Sequence, residues 1–91
     1  MIADIGDLSG MGDAELSSLL ARCPLVTIAV ALHGVDPALR KKMLRALGFV
    51  SRLRLKALPV FRSSVPLADV EAAHAYIVSA AGDAEHGETR R

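Results

Sequence analysis

Few residues of this 91-residue chain could carry chemistry: Cys23, His33, His74, His86, the neighbouring hydroxyls Ser63 and Ser64, and a group of bases. A cysteine nucleophile needs an adjacent base, and none is close to Cys23 in sequence. Standing before Pro24, it reads as a small buried apolar residue at a helix junction. The three histidines share no metal-ligand spacing and are expected to be packed or exposed imidazoles. Ser63 and Ser64 lack a Gly-rich elbow, and the glycines are too dispersed to cradle a phosphate. No enzyme activity, cofactor or metal is expected. A single cysteine also allows no internal disulfide and no cysteine-based zinc site.

The bases are the distinctive feature. Net charge is only +1, yet from Pro37 to Ala68 there is no acid, against Arg40, Lys41, Lys42, Arg45, Arg52, Arg54, Lys56 and Arg62. All ten acids lie in the flanks. Such segregation points to a basic surface in the middle of the fold. Arg52, Arg54 and Lys56, extended by Arg40, Lys41 and Arg45, are the candidate partner-binding residues. The competing reading is a solvated face whose long side chains cover apolar surface while their charges stay wet. Nucleic acid is a poor fit, because the chain has no Asn or Gln to read bases and only Phe49, Phe61 and Tyr76 as aromatics.

Positioning these residues falls to helices. The chain is 52% hydrophobic, led by Leu and Ala, which lose little rotamer freedom in a helix. Residues 1–12 read as an irregular lead-in with Gly6, Gly10 and Gly12, although Ile2, Ile5, Leu8 and Met11 recur at a spacing that suits a short helical turn. Asp13 is expected to cap a helix ending near Arg22 or Cys23, with Leu16, Leu19 and Leu20 as its stripe. Pro24 opens a segment to Leu32 that is apolar all round, favouring a central buried helix over a strand with no partner. Gly34 is read as its C-terminal cap. Asp36-Pro37 starts a third helix that Gly48 closes, with Leu39, Met43, Leu44 and Leu47 inward. A fourth helix covers 49–58 and stops at Pro59, a loop follows from Val60 to Val65, and the last helix spans about 67–81. Gly82 is expected to end it, leaving residues 83–91 as a mobile polar tail. The expected fold is all-α: a compact bundle of about five short helices over residues 13–82.

Three stretches in fixed order give the chain a family likeness. They are Ala31-Leu32-His33-Gly34, Leu39-Arg40-Lys41-Lys42, and Val65-Pro66-Leu67-Ala68-Asp69-Val70-Glu71. At their spacing, and with Leu16, Leu19 and Leu20 upstream, the chain resembles the C-terminal domain of the flagellar motor switch protein FliG over about residues 5–82. The resemblance implies an armadillo-like helical module at the rotor rim, cytoplasmic and at the flagellar basal body. Its partners would be the cytoplasmic loop of the stator or the rotor switch proteins, met through charges on the helix that matches 50–58 here. It also implies that the family's N-terminal and middle domains are absent from this chain. Several family charge positions are altered: His33 stands for a lysine, Val50 for an arginine, Ala57 and Leu58 for a pair of acids, and Pro66 for an arginine. A mixed-sign pattern has become a basic one. Two other readings stay open, a helical adaptor or remnant unrelated to motility, and nucleic-acid binding through 37–47 and 49–58.

Overall fold

The computed structural model describes residues 4–89, and side chains through residue 82. It is all-helical among the described residues: a 3₁₀ helix Ile5–Gly10, then α1 (Asp13–Ala21), α2 (Leu25–Ala31) continued by a 3₁₀ turn Leu32–Gly34, α3 (Pro37–Leu47), α4 (Phe49–Ala57), α5 (Pro59–Arg62) and α6 (Leu67–Thr89). Five of the α-helices have seven residues or more. The all-α bundle expected from composition is present. α1 packs on α3, and α2 packs on α6 while also touching α4 and α5.

Local chemistry explains most of the boundaries. Asp36 caps α3 by accepting the Leu39 N–H at 3.0 Å, and Pro37 occupies the first turn, where a missing N–H leaves no bond unmade. Gly48 closes α3 with φ of 82°, a left-handed conformation that side chains with a Cβ adopt at a cost. The same residue precedes α4, so no linker separates the two helices. α1 differs slightly from expectation. Its N-cap is Gly12, whose N–H donates to Glu15 Oε1 at 3.3 Å, while Asp13 is already helical.

The core is aliphatic. Leu8, Leu16, Leu20, Ile28, Leu32, Leu39, Met43, Leu55 and Ile77 are fully enclosed. Each such side chain contributes about 1.5–3 kcal/mol by leaving water. The central segment is helix, as its lack of a strand partner implies, with Ile28, Ala29 and Ala31 buried. Val26 nevertheless remains about half exposed, so the burial is not uniform around the helix.

Four expectations need correction. The stretch before residue 13 is not an irregular lead-in but contains the short helical turn that its spacing suited: a 3₁₀ helix places Ile5 and Leu8 in the core, because their three-residue spacing matches the 3₁₀ repeat. Ile2 lies outside the described residues. Pro59 both ends α4 and starts α5. It forces Leu58 into an extended conformation and then fits the first turn of the next helix, so 60–62 is not loop. α6 does not end at Gly82 but continues through Thr89, since a helix-interior glycine costs only about 1 kcal/mol. Residues 90–91 lie outside the described residues.

Gly34 is the fourth correction. It ends the 3₁₀ turn without a positive φ, which only Gly48 shows among the described residues, so it is no left-handed cap. Its role is clearance. A Cβ at this position would sit 2.6 Å from Val70 Cγ1 and 3.0 Å from His74 Cε1, both on α6. Glycine here lets α6 approach the end of α2. Gly34→Ala is therefore expected to destabilise the chain by about 1–3 kcal/mol through overpacking. Adding Val70→Ala should recover part of that loss. Denaturant midpoints of the two single variants and the double variant measure the coupling.

Candidate functional site

The six candidate bases do not form one surface. On α3, Arg40 is half-buried and turned inward, its Nη1 donating to Leu32 O at 3.3 Å and its guanidinium carbon 5.3 Å from the Phe61 ring centroid. It therefore joins α3 to the end of α2 and to α5, with a cation–π contact to the ring. Arg45 faces Asp13 at 3.7 Å in an exposed pair of the kind worth about 0–1 kcal/mol. Lys41 is exposed. Lys42, outside the six candidates, holds the N-terminal 3₁₀ helix: its Nζ donates to Ser9 O at 2.7 Å and Met11 O at 2.5 Å.

α4 carries the remaining three. A helix turns about 100° per residue, so Arg52 and Lys56, four apart, share one flank, while Arg54 falls on the other. Leu55 fixes the orientation, being the one α4 residue fully inside. Arg54 accordingly borders a depression of about 240 Å³ shared with Ser17, Cys23 and Ser51, toward α1. None of Arg52, Arg54 and Lys56 makes a hydrogen bond or ion pair with the described residues. The basic surface expected from the charge segregation is thus divided, on α4, into two flanks.

Between the flanks lies an apolar crest that the charge-based reading passed over. Phe49 is 68% exposed, Val50 60% and Leu53 55%, and Ala57 continues the line one turn on. Phase along the helix was the available signal. Once 49–57 is helical, alternating Arg and Leu must land on opposite sides, and burying Leu55 sends Leu53 outward.

The altered positions have structural occupations. His33 is exposed, and its Nε2 lies 2.7 Å from Val60 O, so that nitrogen carries the proton and ties the 3₁₀ turn to α5. Pro66 precedes α6, and its carbonyl accepts the N–H groups of Asp69 at 3.0 Å and Val70 at 3.2 Å. Val50 and Ala57 are exposed and Leu58 is half-buried. His74 Nε2 donates to Ala31 O at 2.7 Å, satisfying a carbonyl at the end of α2. The side chain of His86 lies outside the described residues. Ser63 Oγ donates to Pro59 O at 2.9 Å and closes α5.

The FliG C-terminal domain model matches residues 1–89. The chain belongs to that family. A comparison with curated proteins gives no match. Membership places the chain among structural domains of the flagellar motor switch, which work through protein–protein contacts and are not an enzyme family. Within this FliG C-terminal domain, among the described residues, no three His, Cys, Asp or Glu side chains gather to hold a metal, and no helix is long and apolar enough to cross a membrane.

Two measurements test these placements. Burial pushes the Cys23 thiol above its ordinary range, an effect the Arg22 charge only partly offsets. The folded chain thus holds the thiol proton more tightly than the unfolded chain. Its contribution to stability is fully present below the ordinary thiol range and is lost as pH rises from there through the raised value of the folded chain. Iodoacetamide is expected to modify Cys23 far more slowly in the native chain than in urea, as mass spectrometry would record. Lys42→Met should cost about 1 kcal/mol and remove amide-exchange protection in Ile5–Gly10 before the rest of the fold opens.

Proposed function

We propose that this chain is a rotor module of the flagellar motor switch that docks, through α4, the cytoplasmic loop of the stator or another switch protein. The carrying observation is a helix exposed along its outer side, with Arg52, Arg54 and Lys56 unpaired among the described residues, in a family whose members act by protein contact. Basic groups that no internal acid neutralises favour an acidic partner and speed its encounter. The same reading places the module in the cytoplasm, at the basal body. On α3, Lys41 is exposed outside this surface, Arg45 is paired with Asp13, and Arg40 is an internal support.

Loss of the family's mixed charges alters how such docking works. With Val50, Ala57 and Leu58 in the altered positions, the helix offers attraction to acids without an acid of its own for a basic group on the partner. Binding should therefore be tuned by the number of bases. Arg52→Gln with Lys56→Gln is expected to weaken capture of the acidic partner about tenfold at low salt, with the difference shrinking as salt rises. Pull-down against the stator loop and the switch proteins measures this, alongside swimming of a deletion strain. Normal swimming together with no captured motor protein would overturn the reading, as would a salt-sensitive gel shift with duplex DNA in place of protein binding.

A further inference from the structure

Resting on the same helix as the proposed function, we infer that the segment bound by α4 is an acidic amphipathic helix, with an apolar stripe seated on Phe49, Val50 and Leu53. Three large apolar side chains more than half exposed on a nine-residue helix exceed what a solvated charged face needs. They are adjacent on the wheel: Phe49 and Leu53 are one turn apart, and Val50 and Ala57 border them. Arg52 and Lys56 line one margin of this crest and Arg54 the other. The surface therefore asks for a partner that is apolar along its middle and anionic along both edges.

Charge decides which occupant fits. A second copy laid crest to crest would set Arg52, Arg54 and Lys56 against the same bases, with no acid anywhere from Pro37 to Ala68 to separate them. Self-pairing through α4 is thus opposed by like-charge repulsion. A helix with Leu or Ile along one stripe and Glu or Asp beside it satisfies both features, as in other helix-docking contacts. On this geometry the apolar crest supplies most of the affinity and the flanking bases supply orientation and speed of encounter. The contact should then outlast salt concentrations that abolish purely ionic docking.

A synthetic amphipathic peptide with a leucine stripe bordered by glutamates is the probe, compared with a peptide of identical composition whose order breaks the stripe. Fluorescence anisotropy with the full chain is expected to show the striped peptide binding at least about tenfold more tightly, and retaining that advantage in high salt. Leu53→Ser and Phe49→Ala should each weaken the striped peptide about thirtyfold, the size of an interface hot spot. Both side chains are exposed, so circular dichroism melts should move little; the conservative Leu53→Met should keep binding. Equal affinity for the two peptides, loss of both in high salt, or no binding at all would overturn the inference. So would tighter association, abolished by Leu53→Ser, with vesicles of phosphatidylglycerol and phosphatidylcholine, which would make the crest a membrane anchor. If the striped peptide binds while stator loop and switch proteins do not, the proposed partners fail and this inference stands. If those proteins bind and Leu53→Ser leaves them unaffected, the inference fails and the proposed function stands.

Discussion

The approach of α6 to the end of α2 is the contact on which this fold depends. α2 has only seven residues, too few to persist by itself in water, so its stability must come from neighbours. It receives them on several sides, with α6 the most extensive. That approach is close because position 34 has no side chain, leaving room for Val70 and His74. His74 then gives its N–H to Ala31 O, so the steric fit and the satisfaction of a terminal carbonyl arrive together. Removing either would leave the other imperfect.

A second constraint is how little ionic pairing the described residues use. Arg45–Asp13 is an exposed pair, whereas several longer-range polar links run from a side-chain N–H to a backbone carbonyl. Arg22 donates to Ala80 O, His33 to Val60 O, Arg40 to Leu32 O, Lys42 to Ser9 O and Met11 O, and His74 to Ala31 O. These links stitch elements distant in sequence together. Charged donors make such bonds stronger than neutral ones. One outcome is that the central bases divide into those that hold the molecule and those left to face outward.

Much of the fold was legible because single residues carry strong local meaning. Asp36-Pro37 marks the start of α3, and Gly48 its end, through capping and a left-handed backbone. The apolar run after Pro24 indicated a buried helix. Gly34 shows the limit: a glycine after a helix has two uses, conformational and steric, and only the neighbour across the gap reveals which applies. Pro59 is similar, since it stops one helix and starts another with the same ring. The recurrence of Ile5 and Leu8 suited a helical turn despite Gly6, Gly10 and Gly12, but could not show that the turn belongs to the core. For the candidate site, charge segregation exposed the basic stretch, but residue type alone could not separate Arg40 and Lys42, drawn inward by carbonyls, from Arg52 and Lys56. The apolar crest needed the rotational setting of α4, which is fixed by Leu55 inserting into the core.

Gly48 gives the junction between α3 and α4 an unusual mechanical character. It serves as the last cap of one rod and the cap before the next, with φ of 82° and no intervening chain. A sideways load on α4 therefore reaches α3 directly through one residue, and reaches α2 and α5 through the packing of α4 on both. α3 in turn is braced against α1 and, through Lys42, against the N-terminal turn. α4 is thus a rod joined at one end to α3 and at the other to α5, with α2 beneath it, so a push on its exposed crest bears on three helices at once.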